Sequence, residues 1–315
     1  FDLEGTSVEI AELAGEPIAD LLLVNDQDLS YGKVRLDERS IATLKSHIGK
    51  IEDGLTRVVC WSAAWDMLRD AELSATDFLE MIKGGLANET DITTVTTLGN
   101  QISGAVENYV HPTKREAKRE EMASFIESLM RAAKPGSDFQ LQFARIFVML
   151  AHSSAQTAAV KDLLDGKLAG LIIDVDLRWT LVKFLVEQGV FNEADIDAEL
   201  ARDNTFGGKL GYESCKGDLP TLESKRATWN SIINDDLPTE IRRAKIFGFM
   251  AYRHRDLLEN FVDDYFASLL KVWGNSFEIG ESIVEGLYPF YISKQSTIDK
   301  TDAWLNGPGK DAPAT

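Results

Sequence analysis

The chain has 315 residues, 44% of them hydrophobic, and its 51 acidic and 33 basic residues give a formal net charge of −18. A chain this long buries about three quarters of the surface that its unfolded form exposes, so it needs no disulfide or metal ion to fold. The acidity argues against a nucleic-acid partner, because phosphate neutralisation needs clustered Lys and Arg. It fits either a field that gathers cationic ligands, such as free amino termini, or a self-repelling solvated surface.

Two patterns predict the compartment. Cys60 and Cys215 lie far apart and form no C-x-x-C pair, which is typical of buried thiols in a reducing compartment. No run approaches the roughly 18 uncharged apolar residues of a membrane span, and Phe1 opens an acidic segment rather than a basic signal peptide. We therefore expect a cytoplasmic protein without a membrane partner, and the missing Met suggests a piece of a longer polypeptide.

The first residues read as β structure. Residues 1–13 and 18–25 alternate or run apolar, and Gly15 and Pro17 mark a turn between them. Residues 21–24 are apolar enough to be covered on both faces. Two strands alone are marginal in water, so we expect residues 1–33 to be the remnant of a β domain and its junction.

From residue 34 the hydrophobic period becomes helical. The clearest predicted helix has an apolar face formed by Leu55, Val58, Trp61, Trp65 and Leu68, which we expect in the core. Trp61 and Trp65 could instead stack on a ligand, although their apolar neighbours favour core packing. Further helices are predicted at residues 74–86, 90–109, 113–132, 137–150 and 155–165.

Local signals place several later helices. Asp174 or Asp176 can cap a nearly all-apolar helix that ends before Gly189. Further helix starts are indicated at Asn192 with Asp195, at Pro220 with Thr221, and at Pro238 with Thr239. The predicted fold class is mainly α, a HEAT-like superhelix of antiparallel helix pairs over residues 34–305, with a flexible tail at 306–315.

No residue pattern predicts chemistry in this chain. None of the four histidines has a second histidine one helical turn away, so no metal site is expected. The four are His47, His111, His152 and His254. His111 and His254 read as helix-end surface residues, and Cys60 reads as buried rather than nucleophilic. The glycine-rich residues 205–211 follow a helix and lack G-K-[ST], which argues against a phosphate loop.

Five ordered blocks carry a resemblance to a known family. They are "LLLVNDQDLSYGKVRLDERS", "CWSAAWDMLRDAELSATDFLEMI", "DVDLRWTLVKFLVEQG", "IDAELARDNTFGGKLGYESCKGDLPTLESKRATW" and "YFASLLKVWG". Together they resemble the C-terminal region of bacterial aminopeptidase N of the zinc gluzincin family, most closely the actinobacterial type. The likeness covers essentially the whole chain.

The resemblance implies a division of labour. In that family a catalytic domain and a small β-sandwich precede a helical superhelix that encloses the active site, and residues 1–24 resemble the last sandwich strands. The family's H-E-x-x-H zinc motif and its G-x-M-E-N motif are both absent from this sequence. The resemblance therefore implies zinc in the parent enzyme, no cofactor and no catalytic residue in this chain, and two partners: the upstream catalytic domain and a peptide substrate.

The helical part could contribute by limiting access and by holding the substrate. Candidate substrate-wall residues lie in the recognisable blocks or in a polar cluster within apolar sequence; they are Tyr31, Arg178, Asp203, Lys225 and Arg253. A buried ion pair or helix cap is the alternative for each, and for Arg178 the carboxylate at hand is Asp174, four residues earlier.

Two functional hypotheses follow. The first is a non-catalytic C-terminal domain of a zinc-dependent aminopeptidase, inert by itself. The second is an independent α-solenoid scaffold that binds a protein or peptide partner on its concave face. Composition does not separate them, whereas an in-frame H-E-x-x-H region upstream would select the first.

Overall fold

Helices account for most of the chain in the computed structural model, which describes residues 7–274, 276–310 and 312. The mainly-α prediction is confirmed. The helices are α1 (Glu38–His47), α2 (Gly54–Arg69), α3 (Ala75–Gly85), α4 (Ile92–Gly104), α5 (Pro112–Ala132), α6 (Asp138–Leu150), α7 (Ser154–Leu164), α8 (Val175–Glu187), α9 (Glu193–Arg202), α10 (Phe206–Asp218), α11 (Leu222–Asn234), α12 (Thr239–Phe249), α13 (Arg255–Leu258), α14 (Val262–Val272), α15 (Phe277–Gly286) and α16 (Gln295–Leu305). Short 3-10 helices lie at Ala11–Leu13, Ile48–Lys50, Leu86–Asn88, Tyr252–His254 and Glu259–Phe261, and a π-helical turn at Ala105–Tyr109.

Local capping chemistry sets where many of these helices begin. The Asp174 side chain accepts from the Leu177 N–H at the start of α8, and Asn192 with Asp195 forms a reciprocal capping box on α9. α11 begins after Thr221, whose hydroxyl accepts from Ser224 N–H. Each of these starts was predicted, because the capping side chain is contiguous with the helix that it caps.

The predicted N-terminal β segment is not formed in the part of it that the structure describes. Residues 7–33 contain no strand, and Ala11–Leu13 is a 3-10 helix. Residues 1–6, which belong to the predicted first strand, lie outside the described residues. The physical reason is that two strands need further strands or a covering layer, and the described residues supply no sheet.

The chain divides into two compact units. The first unit comprises residues 1–134 and 138–150, and the second comprises residues 135–137 and 151–315. The domain boundaries after residues 33 and 305 stay predictions, and residues 311 and 313–315 of the predicted tail lie outside the described part. Among the described residues no helix is both long and apolar enough to cross a membrane.

The first unit corrects one predicted core face. Trp61 of α2 is buried and donates from Nε1 to Glu89 Oε1 at 2.8 Å, so it packs inside rather than stacking on a ligand. Leu55 and Val58, however, are exposed. The buried side of α2 keeps Trp61 and Leu68 of the predicted face and adds residues such as Cys60 and Ala64. The covered face therefore overlaps the predicted one only in part.

In the second unit, glycines let α10 and α12 approach closely. A Cβ at Gly248 of α12 would collide with the Ser214 carbonyl oxygen of α10, and one at Gly217 would lie 2.8 Å from the Lys245 carbonyl oxygen. Such contacts are possible only without side chains. The backbones at the ends of both helices therefore come within reach of a single side chain.

Candidate functional site

Three helices of the second unit end close together, and their ends define the candidate site. The last residues of α8, α10 and α12 are Glu187, Asp218 and Phe249. Each helix end carries carbonyl groups without helical partners and the negative end of the helix dipole, which favours cations nearby. We name this region the helix-end cluster; its ionisable members are Lys183, Glu187, Asp218, Lys225, Arg253 and His254.

Lys225 of α11 connects two of these helix ends. Its fully buried ammonium donates to the carbonyl oxygens of Gly217, Gly248 and Phe249 at 2.8, 3.2 and 2.9 Å. One ammonium has three donors, so it satisfies three orphan carbonyls of α10 and α12 at once. Lys225 thus acts as a shared C-terminal cap for both helices.

Arg253 ties the Tyr252–His254 turn to the end of α8. Its Nη1 donates to Glu187 Oε2 at 2.7 Å and its Nη2 to the Ala151 carbonyl oxygen at 2.8 Å. Both side chains of the ion pair are at least nine-tenths buried. Although burial alone would raise it, the charges of Arg253 and Lys183 hold the pKa of Glu187 below its usual value.

Asp218 is the most deeply buried carboxylate of the helix-end cluster. It has no solvent exposure, and Lys183 Nζ lies 2.9 Å from its Oδ2. Burial raises the pKa of Asp218 to about 6, although the charges of Lys183 and Lys225 act in the opposite direction. Its second oxygen, Oδ1, has no hydrogen-bond partner among the described residues.

His254 corrects its prediction as a surface residue. Its side chain is only 8% exposed, and Nε2 lies 2.9 Å from the Glu187 carbonyl oxygen. Nδ1 lies 3.8 Å from Asp218 Oδ1. A helix-end position in the run 252–256 favoured the surface, but the imidazole is buried and lies against the Glu187 carbonyl group at the end of α8. Burial lowers the pKa of His254, and the charge of Lys225 adds to this effect.

Arg178 and Asp203 belong to a second group of contacts between α8 and the end of α9. Arg178 pairs with both carboxylate oxygens of Glu199, at 2.5 and 2.7 Å, rather than with Asp174. Asp203 accepts from Trp179 Nε1 at 2.8 Å and from the Thr205 hydroxyl at 2.7 Å. The hydrogen bond from Trp179 makes the largest contribution to lowering the pKa of Asp203, and the hydrogen bond from Thr205 makes the next largest.

The five predicted wall residues therefore do not form one group. Lys225 and Arg253 meet in the helix-end cluster, Arg178 and Asp203 lie at the α8–α9 contact, and Tyr31 is fully exposed in the first unit. The side chains of Lys225 and Arg253 are buried and donate to helix-end carbonyl groups and to Glu187. For all five residues the role in the substrate wall stays a prediction.

Sequence reasoning missed four members of the helix-end cluster: Lys183, Glu187, Asp218 and His254. One signal could have found two of them. Lys183 and Glu187 interrupt the apolar helix α8 one turn apart, and a charge in such a setting must find a partner. Asp218 and His254 carry no such signal, because neither is surrounded by apolar sequence on both sides.

The arrangement can hold the ends of α10 and α12 together through the buried ammonium of Lys225. Within the described ranges no three His, Cys, Asp or Glu side chains are grouped so as to bind a metal ion. Cys215 lies next to the cluster, but burial raises the pKa of its thiol well above the usual value. Residues 205–211 begin α10, with Thr205 as N-cap, and do not form a separate glycine-rich loop.

Comparison with known proteins identifies the family of the chain, which the geometry of the helix-end cluster alone does not. A family model described as "ERAP1-like C-terminal domain" matches residues 21–315. The chain is also 39% identical over 309 residues to Aminopeptidase N of Streptomyces lividans, a match that covers 97% of this chain and 36% of that protein. The resemblance to the C-terminal region of aminopeptidase N is confirmed, and the chain belongs to the ERAP1-like C-terminal domain family.

Proposed function

We propose that this chain is the non-catalytic, helical C-terminal part of a zinc-dependent aminopeptidase that removes N-terminal residues from peptides. The observation that carries the proposal is the match to Streptomyces lividans Aminopeptidase N, of which the chain spans 36%. Absence of H-E-x-x-H from the sequence supports the non-catalytic role. In this proposal the zinc ligands and the general base belong to the remainder of the enzyme.

The proposed contribution is to enclose the active site and select which peptides reach it. Enclosure excludes bulk water, and polar side chains can hold a peptide beyond its first residue. Rigid helices suit this task, because a wall residue positions a ligand only if its own support is fixed. The Arg178–Glu199 and Trp179–Asp203 contacts give that support at the α8–α9 contact.

A chimeric enzyme tests the proposal. The matched C-terminal part of the Streptomyces lividans enzyme is replaced by this chain, and hydrolysis of an aminoacyl chromogenic amide is compared with that of the enzyme lacking this part. We expect zinc-dependent turnover by the chimera and none by the 315-residue chain alone. Turnover by the chain alone, or a folded but inactive chimera, would contradict the proposal, and the second outcome would favour the scaffold hypothesis.

The access role has its own readout in the same chimera. Tyr31→Ala removes an exposed side chain whose loss costs no packing. If Tyr31 contacts peptide, kcat/KM for a hexapeptide falls by about threefold or more, while kcat/KM for the small amide stays unchanged. Ile172→Ala, which truncates another exposed side chain, is the matched control. Equal effects of Tyr31→Ala on both substrates would remove Tyr31 from the wall.

A further inference from the structure

The second unit contains a small cavity beneath the segment that joins α15 to α16. We name residues 287–292 of this segment the strap; they form no helix. The strap supplies one wall of the cavity, in which Leu287 and Ile292 are buried. The aromatic side chains of Trp229, Phe249 and Phe261 supply another wall. All of these residues belong to one hydrophobic core within the second unit.

The aromatic wall is held by contacts among its own rings. The ring centroid of Trp229 lies 5.7 Å from that of Phe249 and 5.5 Å from that of Phe261, and the last two are 5.0 Å apart. Aromatic pairs at such distances attract each other in tilted and edge-on arrangements. All three residues are at least nine-tenths buried. The rings therefore cannot fall into the cavity without giving up these contacts.

The strap is fastened differently from the aromatic wall. The Ile292 N–H donates to the Pro289 carbonyl oxygen at 3.0 Å, and the Tyr288 hydroxyl lies 3.1 Å from Thr301 Oγ1 of α16. These bonds tie the strap to itself and to α16. Its buried side chains toward the cavity, Leu287 and Ile292, are apolar and can move away from the aromatic wall without leaving a polar group unpaired.

The side chains around the cavity disfavour water as an occupant. Eight of the ten lining residues have no nitrogen or oxygen in their side chains, and the other two, Trp229 and Tyr291, have one such atom each. A buried water molecule makes about three hydrogen bonds, so it is stable only among polar groups. The atoms that line an apolar cavity also lack the dispersion contacts that a filled space would give them.

We propose that this strap cavity binds a small apolar molecule, which enters by displacement of the strap. The space open to the centre of a water-sized sphere is about 10 Å³. Such a space suits a xenon atom or a hydrocarbon of a few carbon atoms, both of which apolar cavities are able to bind. The molecule is held by dispersion contacts alone, and no covalent bond changes. The site is independent of the proposed aminopeptidase role.

Xenon is the probe, and methyl NMR of the 315-residue chain is the measurement. With rising xenon pressure we expect saturable shifts of the Val262 and Ile292 methyl groups, because both residues line the cavity. Leu44 of α1, which is fully buried in the first unit, is the internal control and should not shift. Shifts at Val262 and Ile292 that do not saturate, or equal shifts at Leu44, would overturn the proposal.

A filling variant tests whether the strap cavity itself holds the xenon. Val262→Leu adds one carbon atom inside the cavity, so the saturable shift at Ile292 should fall by about fivefold or more. Val175→Leu makes the same change at an exposed position of α8 and should keep the wild-type response. Equal responses of wild type and Val262→Leu would contradict the assignment. If Val262→Leu does not fold, the wild-type titration decides.

Two further measurements test the ligand class and the entrance. Formamide, a small polar molecule, should give no saturable shift at Val262 or Ile292, and saturable binding of formamide would disprove an apolar site. Tyr288→Phe keeps the ring and removes the hydroxyl near Thr301 Oγ1, so xenon should exchange about threefold faster or more. An unchanged exchange rate would overturn the role of the strap as the entrance.

Discussion

The Arg178 guanidinium of α8 pairs with Glu199 of α9, with Nε and Nη2 on separate carboxylate oxygens at 2.5 and 2.7 Å. The two residues are 21 positions apart, and both side chains are mostly buried. Because two parallel hydrogen bonds join one guanidinium to one carboxylate, the pair fixes the orientation of both groups, which a single hydrogen bond would not. It therefore links two helices that capping alone would leave to pack independently.

Neutralising this carboxylate should weaken the second unit. Glu199→Gln keeps the shape but leaves Arg178 with a weaker acceptor, so we expect the free energy of unfolding to fall by about 1–3 kcal/mol. Urea unfolding measures this change. Glu240→Gln removes the exposed partner of Arg243 and should cost less than about 0.5 kcal/mol. Equal losses in both variants would show that the Arg178–Glu199 pair behaves as a surface pair.

Lys225→Met should lower the free energy of unfolding, although methionine is apolar and suits a buried position. The thioether fills similar space but leaves the carbonyl oxygens of Gly217, Gly248 and Phe249 without their buried donor. We expect a loss of about 2–4 kcal/mol in the free energy of unfolding. Lys209→Met, at an exposed position of α10, is the control and should stay within about 0.5 kcal/mol. A neutral Lys225→Met would disprove the shared-cap role.

Gly248→Ala tests the close crossing of α10 and α12. The new Cβ would collide with the Ser214 backbone, so the helices must separate, at a cost of about 1–3 kcal/mol in the free energy of unfolding. Gly207→Ala, near the start of α10, meets only the Thr205 hydroxyl at 3.6 Å and should raise this free energy by up to about 1 kcal/mol. Thermal unfolding of both variants gives the comparison, and a stabilising Gly248→Ala would contradict the crossing.

Both cysteines should be silent toward thiol reagents in the folded chain. Cys60 and Cys215 are fully buried, and burial raises the pKa of Cys60 to about 12. We expect no reaction with an aromatic disulfide reagent at pH 8, and two equivalents after addition of denaturant. Ser128→Cys places a thiol on an exposed face of α5 and should add one equivalent that reacts at once. Fast reaction of Cys60 or Cys215 in the folded chain would contradict the prediction and would show that the thiol is accessible to solvent.

The sequence by itself determined the mainly-α class, the family and many helix starts. These depend on residues a few positions apart, such as Asp174 and Leu177 or Asn192 and Asp195, whose contacts are formed within one helical turn. The absence of H-E-x-x-H can also be read directly from the sequence, because the motif is contiguous.

Only the tertiary structure decided the ionic partners and the exposed faces. Arg178 pairs with Glu199, 21 positions away, rather than with Asp174, and His254 lies near Asp218, 36 positions away. Helix packing brings these distant residues together. Exposure of Leu55 and Val58 followed from which face of α2 its neighbours cover. Hydrophobic periodicity and capping act along the chain, whereas ion pairing and burial depend on which segments meet in space.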